Sequence, residues 1–490
     1  MFAAVSSVAL VGVDPVPVKV EVHVSGGNRG LHLVGLPDTA VREAKDRVRA
    51  AVASSGFRFP NRPVTVNLAP ADIPKAGSAY DLPIALGVLA AAGLVPHGVC
   101  DVVALGELAL DGAVRAARGS LGAASVALET GRPCLVPASS LAEACLVAGA
   151  DVRGVRSLAH AVAVALGDAD GEAVPATTGG AGGAPVDLAS VRGQAVARRA
   201  LEIAAAGAHH LLLEGPPGAG KTLLARSLPG ILPPLGPDEA LEVARAWAAA
   251  GRHCSAPFRP PFRSPHHTAM VAALVGGGSG SPVPGELTLA HRGVLFLDEL
   301  GEFPGQLLDA LRQPVEEGVV HVARKGATVR FPCEVQVIAA TNPCPCGFLT
   351  DRRQACRCSS RALDRYRRRL SGPLVDRFDM RVEVARLAAD ELLSRPGEAS
   401  AAVAARVAAA RARQAERGAL NGNLNRDALD AAPRTPEAVG LLRAAIDRLG
   451  LTGRGFDRVR RVARTVADLA GADVVGADHV EEALSFRGPA

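Results

Sequence analysis

Aromatic side chains are scarce, at 3% of 490 residues with one Trp and two Tyr. A platform of rings for stacking unpaired bases is therefore not supported. Lysine is scarcer still. Only residues 19, 45, 75, 221 and 325 are Lys among 54 basic residues, so each Lys says more than any one Arg. The longest apolar run, Leu82 to Val95, has 14 residues with Pro83 and two Gly inside it. That is short of the ~18 needed to cross a bilayer and reads as a buried core helix. Nine Cys in so long a chain are no disulfide framework. The opening MFAAVSSVALVGVDP lacks a basic segment ahead of its apolar residues and is a poor match to a signal peptide. A cytoplasmic protein with no membrane segment is expected.

What is present is a chain long enough for about three domains at ~150 residues each. It is 48% hydrophobic, which supports a sizeable core. A net charge of +5 excludes an acidic tail or a disordered chain but is too mild to establish a nucleic-acid partner. The distribution says more. Residues 1–185 hold 14 basic and 16 acidic side chains, and residues 186–490 hold 40 and 33. Residues 352–381 alone carry ten Arg and three Asp. Such a surface suits phosphate backbones, and equally suits pairing with acidic groups at a subunit interface.

One composition break divides the chain. GDADGEAVPATTGGAGGAPV, residues 167–186, has no periodicity and reads as a flexible linker. Residues 1–166 alternate strand patterns (16–24, 63–69, 102–110) with helical ones (39–56 and from about 81). Beyond the linker, a helix over 192–206 leads into an apolar strand over 209–215, and from 388 the pattern is all helical. The expected division is an α/β domain over 1–166, a core over 187–387 and a helical domain over 388–490.

The segment Gly215-Pro216-Pro217-Gly218-Ala219-Gly220-Lys221-Thr222 fits GxxxxGK[ST] between a strand and a helix. Glycines let backbone N–H groups curl around phosphates, Lys221 reaches their outer oxygens and the Thr222 hydroxyl can ligate Mg²⁺. About 76 residues on, GVLFL ends in Asp298 and Glu299. Asp298 is a candidate for the Mg²⁺ shell, and Glu299 for orienting or deprotonating a water. A third apolar strand ends at Asn342, a candidate to hold the γ-phosphate or the water. Cys344 and Cys346, then Cys356 and Cys358, form a C-x-C pair of pairs. Four thiolates can hold one structural Zn²⁺; free thiols and redox use are the alternatives.

With these motifs, FRSPHHT (262–268), PGELTLAHRGVLFLDEL (284–300), AATNPCPCGF (339–348) and RLSGPLVDRFD (369–379) give a chain that resembles the magnesium-chelatase-like AAA+ proteins of the YifB/ComM family. Residues 32–60 and 66–87 agree, so the resemblance runs over nearly the whole chain. It implies an N-terminal Lon-protease-like α/β domain, a P-loop AAA+ doubly wound parallel sheet and a C-terminal helical lid. It further implies ATP and Mg²⁺ as cofactors, Arg377 as an arginine finger and Arg454, or else Arg458, as the sensor-two residue. A finger acting on a neighbour implies a ring, expected to be a hexamer. Segment 263–292 resembles this clade's insertion for substrate contact. There, His266 and His267 are expected to point apart and to serve a pore or structural role rather than ligate metal. Residues 318–334 read as a hairpin with Arg324 and Lys325 at its tip as candidates to touch nucleic acid.

Four functions fit the resemblance: a DNA motor of the branch-migration type, a chelatase subunit, a peptidase and a remodeller of protein complexes. The peptidase is disfavoured. Ala79 stands where that fold's nucleophile is expected, residues 106–124 contain no Lys, and Ser78 has no base nearer in sequence than Lys75. An ATP-driven motor on single-stranded or branched DNA is expected.

Overall fold

Alternation in DPVPVKVEVHV buries Val18, Val20, Val22 and Val24 and turns Lys19 and His23 outward, the signature of a strand with one covered face. The computed structural model describes the chain apart from residues 28, 29, 37, 74, 76, 175–184, 279–281, 325, 326, 352, 371–376, 394 and 488–490, and the side chains of 324, 327, 369 and 370. It divides into two units. The first takes Met1–Gly182, Gly236–Pro257 and Ala323–Phe331; the second takes Gly183–Leu235, Phe258–Val322 and Pro332–Ala490. Both contain helices and a sheet. No helix among the described residues is long and apolar enough to cross a membrane.

The first unit runs β1 (Phe2–Val11), β2 (Asp14–Val24), β3 (Gly30–Val34), α1 (Thr39–Ser54), β4 (Pro63–Ala69), α2 (Asp81–Ala91), β5 (Val103–Ala104), β6 (Glu107–Leu108), β7 (Val114–Arg115), α3 (Ser120–Thr130), β8 (Cys134–Pro137), α4 (Leu141–Ala144), β9 (Val152–Val155) and α5 (Leu158–Leu166). Seven strands form a mixed sheet in the order β3-β4-β2-β1-β5-β8-β9. The apolar run from Leu82 falls in α2, every residue of which is buried. A side chain at Gly87 would come 2.7 Å from Val22, so only glycine lets α2 lie this close to β2. The strand expected over 102–110 is broken in two. Gly106 N–H donates to the Ala79 carbonyl at 2.9 Å and Leu108 N–H to the Asp81 carboxylate at 3.2 Å, so the backbone turns from the sheet to hold the start of α2.

The second unit runs α6 (Ala195–Gly207), β10 (Leu211–Glu214), α7 (Lys221–Ser227), then, after α8 (Pro237–Ala249) of the first unit, β11 (Phe262–Arg263), α9 (Val271–Val275), α10 (Glu286–Leu289), β12 (Gly293–Leu297) and α11 (Gly305–Glu317). The strands β13 (Val319–Arg324) and β14 (Ala327–Pro332) pair as a hairpin. Its expected tip contacts fall outside the described residues, at Lys325 and the Arg324 side chain. β15 (Val335–Thr341), α12 (Ser360–Leu370) and β16 (Met380–Glu383) complete the sheet region. The helices α13 (Ala389–Leu392), α14 (Ser400–Glu416), α15 (Arg426–Ala431), α16 (Pro436–Leu449), α17 (Gly453–Leu469) and α18 (Ala477–Ser485) follow. Five parallel strands lie in the order β11-β12-β15-β10-β16. Near-continuous apolar runs such as GVLFL, buried throughout, are what a parallel sheet covered on both faces demands.

Polar groups tie the helical region to this sheet. The last carbonyls of α6, at Ala204, Ala205 and Ala206, accept hydrogen bonds from Gln336, Arg411 and Gln414, which satisfies a helix end that burial shuts off from water. His209 Nε2 lies 2.7 Å from Thr465 Oγ1 of α17. His210 N–H donates to Asp379 Oδ2 at 3.1 Å, and its ring Nδ1 accepts from Val337 N–H at 3.0 Å. Burial of Asp379 would push its pKa up, but the His209 hydrogen bond and the charges of His209, His210 and Arg458 outweigh it and hold the carboxyl low. Burial pushes His210 down; Asp379 opposes it, while His209, Arg458 and Arg377 add to it.

A His held low in the folded state takes its proton more readily when unfolded, so it costs stability as pH falls below the ordinary His value near 6.5. Thermal melts between pH 7.5 and 5.5 should show the Tm falling. Replacement His210→Asn, whose Oδ1 can accept from Val337 N–H without titrating, should flatten that slope.

Candidate functional site

The phosphate-loop segment leaves β10 at a point of close approach. A Cβ on Gly215 would lie 2.1 Å from the Val384 carbonyl oxygen, and Gly218 and Gly220 adopt φ of +76° and +94°. The loop therefore needs glycine at these positions. Lys221 opens α7 with its ammonium buried, donating to the Gly215 carbonyl at 2.5 Å, the Pro216 carbonyl at 3.0 Å and Asn342 Oδ1 at 3.1 Å. Thr222 Oγ1 donates to Asp298 Oδ2 at 2.9 Å. These groups converge because β10, β12 and β15 are adjacent and parallel, so their C-terminal ends share one edge. A cleft of 460 Å³ lies there, lined by Pro217–Thr222, Leu223, Asp298, Glu299 and Ala340–Asn342. Burial lowers the Lys221 pKa; Asp298, Glu214 and Glu299 oppose the shift. A bound polyphosphate would supply the anionic partner that this cation lacks.

Glu299 sits at φ 55°, in the left-handed region that non-glycine residues avoid. Its N–H donates to Asp298 Oδ1 at 3.0 Å, and its carboxylate is half exposed at the cleft. His267 Nδ1 stands 3.5 Å from that carboxylate, with its ring edge-on to Phe303. The expectation that His266 and His267 point apart fails. Residues 264–270 are neither helix nor strand, and the two rings lie 4.1 Å apart. His267 is thus a site residue that spacing did not reveal; only its place just after the strand beside β12 signals it. Thr341 Oγ1 and the Asn342 carbonyl both meet the Tyr366 hydroxyl at 3.0 Å.

Arg377 and Arg454 are not among the residues lining this cleft. Arg377 hydrogen-bonds Glu316, whose carboxyl is held low by that bond and charge, with Arg454 and Arg312 adding to it. Arg454 is exposed in the first turn of α17, behind the Thr452 cap. One turn on, Arg458 is partly buried beside Asp379 at 3.8 Å. Of the two arginines, Arg458 is the one held by the core.

The four sulfurs of Cys344, Cys346, Cys356 and Cys358 lie within 4.8 Å of one another. Among the described residues they form the one cluster able to share an ion. Cys344 is 3.4 Å from Cys346 and 3.7 Å from Cys356, and the latter two are 3.6 Å apart. Backbone N–H groups of Arg357 and Phe348 bring the Cys346 thiol down to about 6, which favours a thiolate. α12 then carries exposed Arg361, Arg365 and Arg368 on one face. In the first unit, Ser78 donates to Glu107, and Lys75 is fully buried with its ammonium on the Pro70 carbonyl.

Comparison with known proteins agrees along the chain. The model described as "Magnesium chelatase, subunit ChlI" matches residues 187–392, "Subunit ChlI of Mg-chelatase" residues 20–140, and "Magnesium chelatase, subunit ChlI C-terminal" residues 397–487. The chain is 45% identical to the uncharacterized protein Rv2897c of Mycobacterium tuberculosis, over 98% of this chain and 97% of that one. It is 43% identical to the uncharacterized protein YifB of Escherichia coli, over 98% and 96%. To the competence protein ComM of Haemophilus influenzae it is 41% identical, over 99% and 97%.

The backbone at Glu299 yields a test. Asn tolerates left-handed φ, so Glu299→Asn should hold or raise stability by up to about 1 kcal/mol in a denaturant titration. A clear loss would show that the conformation carries no strain.

Proposed function

The chain belongs to the YifB/ComM family of magnesium-chelatase-like AAA+ proteins, and on that premise we propose an ATP-driven ring motor acting on DNA. The family implies ATPase activity. In our reading Lys221 exchanges its carbonyl partners for the β- and γ-phosphates, and the loop N–H groups of Gly218, Ala219 and Gly220 cradle the chain of phosphates beside Gly215, Pro216 and Pro217. Thr222 and Asp298 would hold Mg²⁺; their oxygens already face each other at 2.9 Å, a hard donor set suited to that ion. When bound, Mg²⁺ neutralises charge on the phosphate oxygens. Glu299 takes a proton from the attacking water, with His267 fixing its carboxylate. Asn342, released by Lys221, holds the water or the γ-phosphate. Arg377, moving from Glu316, completes the neighbouring subunit's site in a ring, expected to be a hexamer, and Arg454 serves as the lid's sensor.

The observation that carries the ATPase reading is the convergence of Lys221, Asp298, Glu299 and Asn342 on one cleft. The DNA reading is supported by the arginine face of α12, in a stretch holding ten Arg against three Asp, and by similarity to a protein named for competence. Lys221→Ala and Glu299→Gln should cut ATP turnover at least about 100-fold, and with it displacement of strands from forked and four-way DNA. Reversing Arg361, Arg365 and Arg368 to Glu should weaken DNA binding and lower the salt slope by about two to three. Turnover indifferent to DNA, with no strand displaced, would favour a remodeller of protein complexes or a chelatase-type subunit instead.

Zinc fits the cysteine cluster. Tetrahedral thiolates about 2.3 Å from Zn²⁺ stand ~3.8 Å apart, close to the 3.4, 3.6 and 3.7 Å separations here. Purified protein should contain about one zinc per chain, and Cys356→Ser should lose it.

A further inference from the structure

The cysteine cluster is not a remote clip, because the loop it closes follows directly on Asn342, which lines the cleft, and packs against Pro217 of the phosphate loop. Asn342, whose Oδ1 holds Lys221, precedes Cys344 by one residue, Pro343. Cys344 and Gly347 close a tight turn through a 2.9 Å bond from Gly347 N–H to the Cys344 carbonyl. Gly347 has φ +83°, and a Cβ on it would lie 2.4 and 2.7 Å from Cδ and Cγ of Pro217. The turn between the first cysteine pair therefore rests directly on the phosphate loop. Phe348 and Asp351 continue the contact. Arg386 stacks 6.0 Å over Phe348, reaches Asp351 at 3.4 Å and approaches the Pro217 carbonyl at 3.5 Å.

The loop's other end returns to the same place. α12 starts two residues after Cys358, and its Tyr366 hydroxyl donates to the Asn342 carbonyl. A Cβ on Gly301 would lie 2.4 Å from that hydroxyl, so Tyr366 is seated beside the segment that follows Glu299. Both ends of the 344–358 loop thus bear on Asn342, and the four sulfurs are where the ends meet.

Resting on the zinc reading above, we infer that the cysteine-held metal is a positioning element of the nucleotide site, fixing Gly347 against Pro217 and Asn342 against Lys221. None of the four cysteines lines the cleft, so they act through these contacts and not on the nucleotide. Without the ion, the two thiol pairs lose their common centre, and the loop is free to move off Pro217.

The test uses the full chain and a fluorescent ADP analogue as probe. Zinc content, analogue Kd, the KM and kcat of ATP hydrolysis, and Tm are measured together. Chelating the metal should weaken analogue binding about 10- to 100-fold, and re-adding zinc should restore it. Gly347→Ala should keep its zinc yet show the same weakened binding, because the added methyl pushes the turn from Pro217. Should Cys356→Ser prove too unstable to assay, reversible chelation and Gly347→Ala still decide the matter. Zinc-bound protein whose analogue Kd and KM survive removal of the metal would overturn the inference and leave the zinc reading standing. Protein that binds no zinc would overturn both.

Discussion

A buried lysine ammonium sets the terms for the second unit. Taking a cation out of water is expensive, and it is tolerated only where oxygen acceptors replace the lost hydration. Lys221 has three, two loop carbonyls and Asn342 Oδ1, with Asp298, Glu214 and Glu299 near enough to favour its charge. None of these is a full ion-pair partner at contact distance. On the proposed function, phosphate oxygens are the ligands that would take up this charge. The acceptors come from the phosphate loop and from the end of β15. That requires three strand ends side by side, which the order β12-β15-β10 provides.

The same logic explains where conformational cost is spent. Glu299 adopts left-handed backbone directly after a fully buried strand, and its N–H is held by Asp298. The strain is sustained by neighbours on both sides: the apolar body of β12 before it, and Leu300, Phe303 and Tyr366 packed after it. The polar ties from β15 and α14 to the end of α6 do the work that apolar packing alone would do less specifically. Gln336, Arg411 and Gln414 each satisfy a particular carbonyl, so these helices have one register against the sheet.

How much of this could be read from residues alone followed from whether the signal was local. The phosphate loop, the Asp298–Glu299 pair and the C-x-C pairs are each carried by a short stretch, and the sheet region they occupy could be inferred from apolar runs. The helix from Leu82 was visible for the same reason. Contacts between distant stretches were not. Nothing in the sequence brings Gly347 to Pro217 or His267 to Glu299, since both depend on the order of strands in the sheet. The choice between Arg454 and Arg458 is one helical turn, which a single sequence leaves open; the contact of partly buried Arg458 with Asp379 distinguishes their surroundings. The stretch over 102–110 misled because its period looks like a strand, while its backbone donors are claimed by Ala79 and Asp81. Residues 236–257 and 323–331 also follow packing and not chain order, since both fall in the first unit.

The first unit bears on the choice between motor and peptidase through two side chains. A catalytic lysine needs a lowered pKa and a free lone pair within reach of the nucleophile. Burial does lower Lys75. Its ammonium, however, donates to the Pro70 carbonyl, which suits the charged form, and its backbone is zipped to residues 36 and 38. Asp38 adds a cap on Val41 and a bond from Gly77 N–H, so the segment around Lys75 is fixed from both sides. Ser78 gives its hydroxyl proton to a hydrogen bond with Glu107. Glu107 is an acceptor for that proton, but Ser78 and Lys75 face different partners and make no pair. The depressed lysine is thus the consequence of burial at a structural junction, and the polar groups of this region are engaged in holding α1 and α2. Perturbed titration here reports packing. At Lys221 the lowering also comes from burial, but there the acceptors belong to a glycine-rich loop that borders an open cleft.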